Sequence, residues 1–120
     1  MSGVLPNQEI EKLVEIGAIT SDSALEPEQI QPASLDMRLG GRAFRIRASF
    51  LPGRHEKVNE RLKSLKMHEI DLRGGSVLEK GCVYLVPLLE ELKLPGDIQA
   101  ATNAKSSTGR LDLLTRVITD

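Results

Sequence analysis

The apolar residues of this 120-residue chain arrive in short alternating runs, and Gly or Pro turns cut those runs short. Turns at Arg73-Gly74-Gly75, Lys80-Gly81 and Pro95-Gly96 separate candidate strands, and Pro52-Gly53 is a turn signal before a second helical pattern. Phe44, Ile46, Ala48 and Phe50 alternate with Arg45, Arg47 and Ser49, which predicts a half-buried strand over 42–50. Residues 83–89 are apolar on both faces, which predicts a buried strand that ends or bulges at Pro87. Further strands are expected over 68–72, 77–79, 98–102 and 113–119. Many short strands with regular turns point to a mainly β architecture, a sandwich or barrel. Helices are accessories in it.

Two helices are nevertheless legible. Asn7 is placed to cap the first, Glu9 suits the positive end of its dipole, and Ile10, Leu13 and Val14 share a face. Gly17 is a fitting stop. The second is expected over 56–67, where Val58, Leu62 and Leu65 form the stripe. With 40% hydrophobic residues the chain can build a real core, but Phe44, Phe50 and Tyr84 are its only aromatics. That core must be mostly aliphatic. There is no repeat, low-complexity stretch or linker, so residues 1–120 read as one domain.

Composition also excludes several functions. A lone cysteine, Cys82, rules out an intrachain disulfide and any multi-cysteine zinc site. Sixteen basic residues against 17 acidic ones argue against wholesale nucleic-acid binding. No stretch approaches the roughly 20 apolar residues of a membrane span. Met1-Ser2-Gly3-Val4-Leu5-Pro6 lacks the basic start of a secretory signal, which makes the cytoplasm the default compartment. Charge is uneven. Residues 1–30 carry six acids against Lys12, whereas 42–66 carry eight Lys or Arg against Glu56 and Glu60. A basic stretch can face an anion, though a solvated surface is its commoner meaning.

The common nucleotide-binding turns, Gly-x-x-x-x-Gly-Lys-Ser/Thr and Gly-x-Gly-x-x-Gly, are absent. So is the His-x-Glu with Pro-Cys-x-x-Cys of a zinc deaminase. His55 and His68 stand apart from each other and from Cys82, which is expected to be an inert core residue. The positive signal is Asn103-Ala104-Lys105-Ser106-Ser107-Thr108-Gly109-Arg110-Leu111. Consecutive Ser and Thr at a helix start present backbone N–H groups and hydroxyls to an anion. In a helical turn Arg110 shares the face of Ser106, with Lys105 beside it. Gly109 there costs about 1 kcal/mol relative to Ala, so a close contact would explain it. Simple capping by the serines is the competing reading.

A second segment is Gln31-Pro32-Ala33-Ser34-Leu35-Asp36-Met37-Arg38-Leu39-Gly40, a strand entered through a Pro turn and left through Gly40-Gly41. Asp36 among apolar neighbours can hold a backbone turn or Arg38, or face a phosphate-bound metal through water. The structural role is favoured, because a lone carboxylate is a weak metal site.

Taken in order, the Gln31–Gly40 segment, Leu94-Pro95-Gly96-Asp97-Ile98 and Lys105–Leu111 resemble the dCTP deaminase family of the trimeric dUTPase superfamily. Gly3-Val4-Leu5-Pro6 before a short helix is similar to that family's start. Only about residues 48–68 fall outside the resemblance, and they look like an insertion found in long members that join two such units.

The resemblance implies a distorted antiparallel β-barrel of the dUTPase type, with an N-terminal helix, an inserted helix and a truncated C-terminus, assembled as a homotrimer. It implies hydrolysis of dCTP to dUTP and ammonia in deoxynucleotide biosynthesis, with no protein-bound metal and Mg²⁺ accompanying the triphosphate. Ser106 and Arg110 match the family's catalytic pair, and Lys105 and Ser107 fall with them on the phosphate-binding turn. Lys105 stands where short members carry Arg, and it offers a point charge rather than a fork. Val117 and Thr119 fall on the stretch whose backbone faces the pyrimidine and the attacking water. Asp112 replaces a common Gly. The general-base Glu is expected beyond Asp120, so residues 1–120 alone are expected not to deaminate. The same cradle also serves a dUTP diphosphatase, a bifunctional enzyme or a non-catalytic nucleotide-binding module.

Overall fold

A computed structural model of the protein describes residues 3–119. Met1, Ser2 and Asp120, and the expectations attached to them, lie outside the described residues. The chain divides into two compact units, one drawn from residues 1–43, 71–76 and 86–99, the other from 44–70, 77–85 and 100–120.

The first unit is built on α1 (Asn7–Glu15). Pro6, not Asn7, occupies its N-cap, and its carbonyl accepts from the N–H groups of Glu9 and Ile10. Asn7 instead donates its own N–H to the Pro32 carbonyl at 2.9 Å. Gly17 ends the helix as expected, at φ +79, a conformation that costs Gly little. Ile10 and Leu13 pack with Ala18 and Ile19, and Val14, Leu25, Ile30, Leu35, Leu94 and Ile98 close around them. Burying side chains of this size contributes roughly 1.5–3 kcal/mol each. β1 (Ile19–Ser21) pairs antiparallel with β7 (Glu90–Leu92), Thr20 opposite Glu91. β2 (Ile30–Gln31) and β3 (Ser34–Leu35) form a small hairpin around Pro32-Ala33.

This unit also has a polar centre. The Glu90 side chain is fully buried, and Gln29 is buried beside it. Glu90 accepts the Arg38 backbone N–H at 2.9 Å, the Arg38 Nε–H at 2.8 Å and the Gln29 Nε2–H at 2.7 Å. Arg38 reaches on to the Ser21 Oγ at 3.0 Å. Burial pushes the Glu90 carboxyl up, but the Arg38 N–H, its guanidinium and the Gln29 amide together hold it below its ordinary value.

The second unit holds most of a three-stranded sheet in which β4 (Arg42–Ile46) lies between β5 (Lys66–Asp71) and β6 (Val83–Leu85). The β4–β6 pair is antiparallel, Phe44 opposite Leu85 and Ile46 opposite Val83. α2 (Val58–Leu65) sets Leu62 against Phe44, Ile46 and Phe50, with Val58, Leu65, Leu85 and Ile118 around them. The Lys66 ammonium sits 5.4 Å from the centre of the Phe44 ring.

The structure is mainly β, and among the described residues the short strands form three sheets and no closed barrel. It differs from the sequence expectations at several strands. β4 stops at Ile46 because the Arg47 N–H leaves the ladder for the Leu65 carbonyl, although Phe50 is still buried. β6 does end before Pro87, but it is not buried throughout, since Val83 is exposed. α2 is shorter than 56–67, because Lys57 and Lys66 at its ends are already extended. Residues 77–79, 98–102 and 113–119 form no strand. The Glu79 N–H goes to the Tyr84 hydroxyl and the Ile98 N–H to the Pro95 carbonyl, so neither segment offers a free ladder. Cys82 is half-buried in the turn before β6 rather than in the core.

Candidate functional site

The Ser-rich motif folds into α3 (Ser106–Arg110), a single short turn in the second unit. Lys105 is its extended N-cap, and its carbonyl accepts from Thr108 at 3.0 Å and Gly109 at 3.1 Å. No side chain caps the start, and the Lys105 carbonyl takes the Thr108 and Gly109 N–H groups, which leaves those of Ser106 and Ser107 at the open end. The helix ends because Asp112 takes φ +60, the left-handed conformation that favours Gly.

Lys105, Ser106, Ser107 and Arg110 are together on this turn, and all four are exposed. Ser106 and Arg110, four apart, share a face as expected. Two cations and three hydroxyls within six residues, with no acid among them, make a surface suited to a polyanion. Val117 and Thr119 are not on α3. They lie on the exposed run that follows it. Gly109 is not explained by crowding, since nothing lies within 4 Å of where its Cβ would be.

Other candidates resolve differently. His55 and His68 are exposed, and no group of three or more His, Cys, Asp or Glu among the described residues could hold a metal ion. Asp36 is held by its backbone, its N–H on the Gln29 carbonyl at 2.8 Å and its own carbonyl accepting from the Gln29 amide. The Arg38 guanidinium bonds Glu90, a partner 52 residues away that sequence reasoning missed. The signal available was a charged Arg38 set between Met37 and Leu39. Arg116 was missed too. Its Nη2 donates to the Ser49 Oγ at 2.6 Å and to the Phe50 carbonyl at 3.5 Å. A lone cation in the run Leu113-Leu114-Thr115-Arg116-Val117-Ile118 was its only mark.

Comparison with known proteins bears on the chain as a whole. The family model of the 2'-deoxycytidine 5'-triphosphate deaminase N-terminal domain matches residues 1–120. The dCTP deaminase of Haemophilus influenzae is 32% identical over 120 residues, covering 94% of this chain and 62% of that protein. A dCTP deaminase, dUMP-forming, of Methanosphaera stadtmanae is 30% identical over 118 residues, covering 95% of this chain and 58% of that protein. The chain thus spans about 60% of the length of these relatives. The crystal structure of 2'-deoxycytidine 5'-triphosphate deaminase from Agrobacterium tumefaciens superposes with a TM-score of 0.94 at 52% identity. It covers 98% of this chain and 36% of that one, and the shared fold is of the dUTPase type. With the family model matched over residues 1–120, the chain belongs to the dCTP deaminase family.

Proposed function

We propose that the protein takes part in hydrolytic deamination of dCTP, in which water attacks C4 of the cytosine, the 4-amino group leaves as ammonia and dUTP remains. The reading is carried by one observation, the 0.94 superposition on a solved dCTP deaminase over 98% of the chain. In it the substrate is the Mg²⁺ complex of dCTP, and no metal is bound by protein side chains. Lys105, Ser107 and the open N–H groups of α3 take the triphosphate. Ser106 orients the water or a phosphate oxygen, and Arg110 stabilises charge that develops at the reacting centre. The backbone at Val117 and Thr119 faces the pyrimidine. Proton transfer from water to the leaving amine needs a tuned carboxylate. We assign that role to a Glu outside these 120 residues, so that residues 1–120 alone bind a triphosphate weakly and do not turn over. The working form is a cytoplasmic homotrimer serving dUTP synthesis.

The name of the Methanosphaera relative, dUMP-forming, favours a second reading in which the same site also releases pyrophosphate. Incubating the intact gene product with Mg²⁺ and dCTP or dUTP, and resolving the products by chromatography, separates the two. Ammonia and dUTP support deamination alone; dUMP and pyrophosphate support the combined reaction. Binding without either product would overturn both.

A further inference from the structure

Resting on the nucleotide reading proposed above, one contact of the second unit gives the run after α3 a further task. Residues 113–119 form no strand and are mostly exposed, yet they are fixed at two points two residues apart. Arg116 is bonded to Ser49 and Phe50, and Ile118 is half-buried against the cluster of Phe44, Ile46, Phe50 and Leu62. Val117 and Thr119, next in the chain to these two held residues, are exposed. Of the two anchoring partners Ser49 is exposed and Phe50 is buried in the core.

We infer that Arg116 is a positioning residue for the pyrimidine end of the site, holding the backbone of Val117 and Thr119 in place through its bonds to Ser49 and Phe50. Ser49 and Phe50 belong to the segment outside the motifs that carry the family resemblance. That segment therefore contributes to base recognition without touching the nucleotide.

The test uses the intact gene product and its variants Arg116→Ala, Arg116→Lys, Ser49→Ala and the double variant. Arg116→Ala is expected to weaken dCTP binding by about tenfold to a hundredfold, the scale of a misplaced contact. Competition by inorganic tripolyphosphate, which reads only the α3 turn, stays unchanged. Lys at 116 restores part of the loss, and the double variant is no worse than Arg116→Ala alone. Amide hydrogen exchange at residues 113–119 rises in parallel. Equal losses for dCTP and tripolyphosphate, or unchanged dCTP binding and exchange, would overturn the inference. A wild-type protein that binds tripolyphosphate but not dCTP would overturn the deaminase reading and the base-positioning role. Faster exchange in Arg116→Ala would then still identify Arg116 as the anchor.

Discussion

Asp112 shows how much a single dihedral can explain. At φ +60 its Cβ crowds the following carbonyl, a cost of roughly 1–2 kcal/mol for most residues and less for Asp. Asp112→Gly removes that strain but adds freedom to the unfolded chain. The net expectation is a gain of a few tenths to about 1 kcal/mol in urea unfolding. A loss of stability would mean that the Asp112 side chain makes up for its backbone. Arg110, by contrast, is exposed, and Arg110→Ala should leave the melting temperature near that of wild type. In the intact gene product it should lower turnover of dCTP by about 10²-fold or more, as loss of one electrostatic stabiliser does. Near-normal turnover by a folded Arg110→Ala protein would remove its catalytic assignment. The turn that carries Ser106 and Arg110 was legible in the sequence, because it depends on a local spacing of four. Arg116 was not, because its partners lie 66 and 67 residues away.

Elements were legible where their pattern was local and paired. α1 and α2 follow from apolar stripes, and the structure moves their ends by one or two residues. Strands were harder, because alternation says which face is apolar and not whether a neighbouring edge exists. Residues 113–119 include the β-branched Thr115, Val117, Ile118 and Thr119 and still form no strand. β7, which begins with two glutamates of poor strand propensity, exists because β1 is there to pair with it. The crossing of Leu39 with Leu88 gives an example that can be measured. Gly40 donates its N–H to the Pro87 carbonyl at 2.7 Å, and an added Cβ would stand only 2.7 Å from that same oxygen. Gly40→Ala must push the two backbones apart. It should cost about 1–3 kcal/mol, the range of other overpacked sites, and thermal unfolding of the variant reads it directly.

For the whole molecule, the buried carboxylate couples folding to pH. The folded Glu90 has a lowered affinity for protons, so the unfolded chain binds them more readily. Its contribution is therefore fully present above the ordinary carboxylate value, near about 4.5, and fades as pH falls through the lower folded value. Asp71 is also held down, to about 2, by its bonds from Arg73, but that pair is exposed and solvent screens it. Glu90→Gln should therefore flatten the acid limb of a stability profile taken between pH 7 and pH 3 by urea unfolding. An unchanged acid limb would assign the pH response to other carboxylates. At neutral pH, Arg38→Ala should cost about 3–5 kcal/mol, because it strands a buried charge.

Gln29, Arg38 and Glu90 sit far apart in the chain, yet no one of them can drift alone. Losing any one takes a bond from a buried charge or amide, while replacing all three by apolar side chains that fit can be neutral or better. They are inherited, in effect, as a single trait with three addresses. A library randomised at these positions and sorted for folded protein should return two populations, the intact trio and fully apolar replacements, with few variants between them.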